Sequence, residues 1–116
     1  MKENIIKDRS FTFALNIVAQ YKRLTNDKKE FVMSKQMLRA GTSIGSNVRE
    51  AEHAESKPDF IHKLSIALKE ANETEYWLDL LFQSEYMDQA DYSFLKSKIE
   101  EILRLLTSII VTSKNK

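Results

Sequence analysis

Apolar residues recur along this chain at alternating steps of three and four positions, and this spacing constrains the fold more than any other feature. The segment from Phe60 to Leu81 gives the clearest example. Such steps return a side chain to the same face of an α-helix, whereas a strand needs steps of two. The chain has only two Gly and one Pro, fewer than the tight turns of an all-β fold usually require. The spacing therefore predicts an all-α protein.

Four stripes with this spacing are separated by turn-forming residues, and they predict helices over residues 9–25, 28–55, 58–84 and 89–113. Long helices joined by short loops pack as antiparallel neighbours. The predicted fold is an antiparallel up-down-up-down four-helix bundle that forms a single domain over residues 1–116. The stripes are Phe11, Ala14, Val18 and Tyr21; Met33, Met37, Ala40, Ile44, Asn47, Ala51 and Ala54; Phe60, Leu64, Ala67, Ala71, Thr74, Leu78 and Leu81; and Tyr92, Leu95, Ile99, Ile102, Leu106 and Ile109.

Capping signals support these helix boundaries. Asp27 with Glu30 three residues later is typical of a capping box at the start of the second helix. Pro58 is expected in the first turn of the third helix, where its missing N–H is not needed. Asp88 is expected to cap the fourth helix, with Asp91 three positions later.

Gly41 and Gly45 lie four residues apart inside the second predicted helix. Each costs about 1 kcal/mol relative to Ala in a helix interior. The pattern predicts that a neighbouring helix approaches closely at these two positions. A kink at this cluster of small residues is the alternative.

The apolar residues outnumber the positions that one core stripe per helix can bury. Some will broaden the core faces, and the remainder predicts an exposed apolar surface, which on a globular protein usually binds a partner. Self-association is the preferred interpretation. The residues outside the stripes include Leu38, Val48, Ile61, Ile66, Leu68, Trp77, Leu80, Phe82, Phe94, Leu103, Leu105, Ile110 and Val111.

Composition narrows the class of protein further. The absence of Cys excludes disulfides and thiolate metal sites. No apolar run approaches the ~20 residues of a membrane span, and residues 1–9 lack the apolar stretch of a secretory signal. We therefore expect a cytoplasmic protein that has no contact with a membrane.

The net charge of +1 combines basic ends with an acidic middle. Solvated helix faces explain this distribution most simply. The alternative is a basic surface for RNA or DNA on the first and fourth helices, because Lys and Arg displace counterions from phosphates. Its candidate residues are Lys7, Arg9, Lys22, Arg23, Lys96 and Arg104.

Three polar residues are predicted to have structural roles. Asn47 interrupts a stripe of apolar and small residues, so we expect it to form hydrogen bonds within the bundle. Arg39 in the second helix is expected to pair with Glu73 or Glu70 in the third. These contacts would stabilise the fold rather than bind a ligand.

The sequence motifs give little support for a catalytic function. Glu50-x-x-His53 and Asp59-x-x-His62 resemble half of a di-iron carboxylate site, but both histidines fall at outward positions of their helices. No nucleophile with a nearby base and no phosphate-binding loop is present. We therefore predict a protein that is not an enzyme and uses no cofactor or metal. A metal-binding bundle enzyme and a helical adaptor for a partner protein are the alternatives.

A string of polar and small residues in the second and third helices resembles the bacterial four-helix-bundle family encoded by intervening sequences within 23S rRNA genes. That family is similar to the accessory variability protein of diversity-generating retroelements. The resemblance implies a homopentamer of four-helix bundles with a basic surface, and no catalytic residues. The retroelement relatives bind nucleic acid and a reverse transcriptase. The string comprises Ser34, Gln36, Met37, Arg39, Ala40, Ser43, Ile44, Asn47, Val48, Glu50, Ala51, Lys57, Asp59, Phe60, Ser65, Ile66, Ala67, Glu73, Thr74, Tyr76, Trp77 and Leu78.

Overall fold

A computed structural model of the chain describes residues 2–116, with side chains from Asn4 onward. Over this range the chain forms an all-α four-helix bundle without strands, with extents of 47 × 21 × 19 Å. None of the helices described is both long and apolar enough to span a lipid bilayer. The helices are α1 (Lys2–Asn26), α2 (Met33–Glu52), α3 (Lys57–Gln83) and α4 (Gln89–Lys114).

Consecutive helices run antiparallel, which confirms the predicted up-down-up-down arrangement. Ile17 of α1 lies against Gly41 of α2, whereas the earlier Ser10 lies against the later Gly45. Within the described residues α1 packs on α2 and α4, and α3 packs on the same two helices. Since the backbones of α1 and α3 do not approach each other over the described residues, the two helices occupy diagonal corners of the bundle.

The core includes most of the residues in the stripes predicted for α2, α3 and α4. Met37, Ala40 and Ile44 of α2 are fully buried, and so are Leu78 and Leu81 of α3. Burial of each of the larger side chains among them contributes about 1.5–3 kcal/mol relative to leaving it exposed. The periodicity therefore predicts the buried faces of α3 and α4 correctly, whereas in α2 Val48 is buried and Asn47 of the predicted stripe is only half-buried.

The predicted stripe of α1 is wrong. The buried face of α1 contains Ile6, Phe13, Ile17 and Leu24, whereas Phe11 of the predicted stripe is exposed. The true stripe was missed because the polar residues Ser10 and Gln20 interrupt it, and both are buried. The error also placed the start of α1 at residue 9, whereas the helix begins at Lys2.

The capping box predicted for Asp27 and Glu30 is also wrong. Residues 27–32 form the turn, and α2 begins at Met33 rather than at residue 28. Glu30 caps α2 directly: its carboxylate accepts hydrogen bonds from the N–H groups of Val32 (3.1 Å), Met33 (3.1 Å) and Ser34 (2.7 Å). Burial opposes ionisation of Glu30, but these bonds outweigh it and hold the pKa of the carboxyl below its ordinary value.

The other predicted helix starts are confirmed. Pro58 lies in the first turn of α3, where the Ser56 hydroxyl accepts a bond from the Asp59 N–H. The Asp88 carboxylate caps α4 by accepting from the Asp91 N–H at 2.8 Å. The second helix ends at Glu52, three residues before the predicted end.

The two glycines lie where α1 approaches α2, as predicted. A Cβ atom on Gly41 would lie 2.9 Å from Cγ1 of the buried Ile17. A Cβ atom on Gly45 would lie 3.4 Å from the backbone oxygen of Ser10. The tight contact with the Ile17 side chain therefore explains the glycine at position 41, whereas a Cβ atom at position 45 would meet Ser10 at an ordinary contact distance.

Candidate functional site

The flank of α1 beside α2 carries a second apolar stripe that the core does not use. Phe11 is 52% exposed and Leu15 is 57% exposed, and the neighbouring Ala14 and Val18 are half-buried. These positions are three and four residues apart, so they form one continuous strip along the helix. We call them the α1 strip.

A groove of about 530 Å³ runs between the α1 strip and α2. Its α2 side includes the small residues Thr42, Gly45 and Ser46, which leave the groove open to solvent. Arg49 stands at its rim, with its guanidinium 5.7 Å from the centre of the Phe11 ring. The groove is also lined by Lys7, Ala14, Asn47 and Glu50. Together with the α1 strip it forms the α1–α2 surface.

The six cations predicted as a nucleic-acid surface do not form one unpaired basic patch. Four of them pair with carboxylates at 2.7–3.4 Å, which reduces the positive charge available to a phosphate. Among the described side chains, Lys22 and Arg104 have no carboxylate at ion-pair distance. The pairs are Lys7 with Glu52, Arg9 with Glu101, Arg23 with Asp91, and Lys96 with Asp79.

Lys96 belongs to a half-buried polar network between α3 and α4. Its ammonium lies 2.7 Å from Asp79 and 3.3 Å from Glu75, and the Tyr92 hydroxyl donates to Asp79 at 2.6 Å. Burial opposes the charge on Lys96, but the two carboxylates outweigh it and raise the pKa of the ammonium. The bonds from Lys96 and Tyr92 likewise hold the pKa of Asp79 below its ordinary value against the effect of burial. The network joins two helices and leaves Lys96 little freedom to bind a ligand.

Arg39 pairs with both predicted partners across the α2–α3 interface. Its guanidinium contacts Glu73 and lies 3.3 Å from Glu70. The Trp77 indole N–H also donates to Glu73 at 3.1 Å, and this bond, followed by that from Arg39, lowers the pKa of the Glu73 carboxyl. The arrangement matches the predicted pairing, whose contribution to stability stays a prediction.

Asn47 is half-buried, and its side-chain amide donates to the Ser43 carbonyl at 2.9 Å. This bond stays within α2 and does not tie the helix to a neighbour. His53 and His62 are exposed, in agreement with their predicted outward positions. From residue 4 onward, no three His, Cys, Asp or Glu side chains are grouped so as to hold a metal ion.

Sequence reasoning missed the α1–α2 surface because it assigned Phe11, Ala14 and Val18 to the core. A signal was available, since α1 contains two stripes with helical spacing, one through Phe11 and one through Phe13. One helix can direct only one of them into the core of a bundle. The presence of two stripes therefore indicated that one of them is exposed.

Comparison with known proteins finds one family and one solved structure that resemble the chain over most of its length. The family model described as 23S rRNA-intervening sequence protein matches residues 2–108. A crystal structure of a protein of unknown function from the S23 ribosomal protein family of Bacteroides thetaiotaomicron is 60% identical, with a TM-score of 0.93. The match covers 95% of this chain and 98% of that one. No curated protein matches the chain. With most of its length matched by the family model, the chain belongs to the 23S rRNA-intervening sequence protein family.

Proposed function

We propose that the chain is a non-enzymatic assembly subunit of the cytoplasm that binds further copies of itself through the α1–α2 surface. The single observation that carries the proposal is the α1 strip, where Phe11 and Leu15 are more than half exposed beside a groove of small residues. An apolar strip of this kind on a water-facing helix is stabilised when a second surface covers it. The family resemblance suggests that five copies assemble.

Two other surfaces give weaker support to a binding function. Phe94 and Val111 on α4 are exposed to the same degree as Phe11, but they lie seventeen residues apart on one helix. They therefore form no continuous strip. The pockets near the turn between α2 and α3 lie beside charged side chains such as Lys57 and Lys116. Among the described residues, Phe11 and Leu15 of the α1–α2 surface combine exposed aromatic and aliphatic side chains with an adjoining groove.

Contact with RNA or DNA is a second proposal, and the exposed Lys22 and Arg104 favour it because neither has a carboxylate partner among the side chains from residue 4 onward. Assembly would repeat these cations around the oligomer and so raise the local positive charge. Binding to a labelled RNA oligonucleotide should then weaken steeply between low and moderate salt. Binding that is absent at low ionic strength would contradict this second proposal and leave the first intact.

A matched pair of double variants tests the principal proposal. Phe11→Ser with Leu15→Ser should lower the mass of the particle in solution, measured by light scattering after size-exclusion chromatography. Phe94→Ser with Val111→Ser changes two apolar residues that are 50% and 51% exposed, and it should leave the mass unchanged. The proposal would be contradicted if the double variant of α4 dissociates the oligomer while the double variant of α1 leaves its mass unchanged. Circular dichroism of both variants verifies that they fold.

A further inference from the structure

The turn between α1 and α2 carries the two most exposed large apolar side chains among the described residues. Phe31 is 59% exposed and Val32 is 74% exposed. Neither residue belongs to the core or lines the groove of the α1–α2 surface. Because the two are adjacent in the chain, they form one small apolar projection at the end of the bundle, which we call the Phe31 tip.

The backbone of this turn is held by hydrogen bonds that leave its N–H groups satisfied. The Glu30 carboxylate accepts from the N–H groups of Val32, Met33 and Ser34. The N–H of Glu30 itself donates to the Leu24 carbonyl at 3.0 Å. Since unpaired backbone donors are what make irregular chain costly in an apolar medium, this turn can enter such a medium at little cost.

Three lysines flank the Phe31 tip. Lys28 and Lys29 precede it by two residues or three, and Lys35 follows Val32 by three. All three lysines are exposed, and none has a carboxylate at ion-pair distance among the side chains from residue 4 onward. An apolar tip among unneutralised cations complements a surface that is anionic outside and apolar beneath.

The carboxylates at this end of the bundle lie towards α4. Asp27, Asp88 and Asp91 line a separate pocket of about 130 Å³ together with Lys28. Neither the Phe31 tip nor the other two lysines line this pocket. Glu85 lies in the turn that precedes α4. Negative charge is therefore concentrated beside α4, and the side of the tip is basic.

The small size of the Phe31 tip favours a lipid surface over a protein partner. Two side chains bury far less than the ~800 Å² per partner of a stable protein–protein interface. A lipid surface sets no such threshold, because apolar insertion and attraction to headgroups add up residue by residue. Such a contact also needs no membrane-spanning segment. The expectation of no membrane contact rested on the missing span and does not bear on a peripheral contact.

We propose that the Phe31 tip docks end-on on the surface of an anionic lipid bilayer. Phe31 and Val32 enter the boundary between headgroups and acyl chains, and Lys29 and Lys35 contact the headgroup phosphates. The bundle is 47 Å long and about 20 Å across, so end-on contact leaves the α1–α2 surface free for other copies. The contact goes beyond the proposed self-association and does not depend on it.

Cosedimentation with vesicles of equal parts phosphatidylcholine and phosphatidylglycerol tests the proposal. The native chain should bind these vesicles at low salt and should bind pure phosphatidylcholine much more weakly. Phe31→Ser with Val32→Ser should weaken binding by about tenfold or more. Lys29→Gln with Lys35→Gln should weaken it by about 30-fold at low salt. Phe94→Ser with Val111→Ser serves as the matched control and should bind like the native chain.

A fluorophore at the tip reports the contact directly. The native chain has no Cys, so Val32→Cys provides a single attachment site for an environment-sensitive dye. Its emission should shift to the blue when the anionic vesicles are added. A dye attached through Val111→Cys should show no shift.

The outcomes separate this inference from the proposed function. Absence of vesicle binding at low ionic strength overturns it, and so does binding that the tip variants leave unchanged. Tip variants that lower the mass of the assembly, in a chain that binds no vesicles, would show that a second copy covers the tip and would likewise overturn it. A native chain that is monomeric but binds vesicles through the tip overturns only the self-association. Circular dichroism verifies that each variant folds.

Discussion

The diagonal helices α1 and α3 use the same apolar spacing for different purposes. In α3 one stripe of apolar residues and Thr74 faces the core, and it was predicted correctly from the sequence. In α1 the buried stripe contains Ser10 and Gln20, whereas the more regular-looking stripe through Phe11 and Val18 lies on the flank. Helical periodicity identifies a face that is to be covered, but it does not say whether the chain itself or a partner covers it.

The strongest test of this comparison uses two phenylalanines of α1. Phe13 is buried and Phe11 is half exposed. Phe13→Ala should lower the free energy of unfolding by about 3–5 kcal/mol, because it leaves a cavity in the core. Phe11→Ala should change it by less than about 0.5 kcal/mol in the dissociated chain. Urea unfolding at low protein concentration measures both, and equal losses would show that Phe11 belongs to the core.

The contact between α1 and α2 gives the next largest expected effect. Gly41→Ala should destabilise by about 1–3 kcal/mol, because its Cβ would collide with the immobile Ile17. The Cβ atom of Gly45→Ala would meet the Ser10 backbone at an ordinary contact distance. Because Ala also has the higher helix propensity, this substitution should be neutral or stabilising by up to about 1 kcal/mol. Adding Ile17→Val to Gly41→Ala should restore some of the loss. Equal effects of the two glycine substitutions on the unfolding midpoint would contradict the packing described.

The turns that follow α1 and α3 differ in how the next helix is capped. Glu30→Gln replaces a buried carboxylate that accepts three N–H bonds, and should cost about 1–2 kcal/mol at pH 7. The pKa of Glu30 is lowered in the folded chain, so its contribution is present above the ordinary value of 4.5 and is lost as pH falls through the folded value. The stability difference between the native chain and the variant should therefore shrink in acid. A difference that stays constant down to pH 3 would rule out this role.

The smallest expected effect concerns the ion pairs of α3. Arg39→Ala should cost no more than about 1 kcal/mol, since the guanidinium is half exposed and water screens its pairs with Glu70 and Glu73. Loss of the pair should also raise the pKa of Glu73, although the Trp77 bond remains. Chemical denaturation of the variant measures the loss of stability. A loss above about 2 kcal/mol would assign Arg39 a larger structural role than its exposure suggests.

Most of the fold was predictable because α2, α3 and α4 each have one dominant stripe, interrupted in α2 only by Asn47. The turn before α2 was not, since Lys29 adopts a left-handed φ of 56° where no glycine marks the turn. Glu85 likewise adopts a left-handed φ, of 71°, in the turn before α4. The candidate site was only partly predictable. Its apolar excess was visible in the sequence, but its location on the flank of α1 depended on which stripe the other helices cover.

The pairing of the cations could not be predicted from the sequence either. Lys96 lies 17 residues from Asp79 along the chain, and Arg9 lies 92 residues from Glu101. Which charges neutralise each other depends on the register of neighbouring helices. Composition therefore predicted basic ends, whereas the structure places four of the six candidate cations against carboxylates.

Whether this bundle is a subunit is tested most directly by sedimentation equilibrium of the native chain at micromolar concentration. We expect a mass that is a multiple of the 13.5 kDa chain, five-fold by the family resemblance, and a lower mass when Phe11 and Leu15 are both replaced. A native chain that sediments as a 13.5 kDa monomer at micromolar concentration would contradict the proposed self-association.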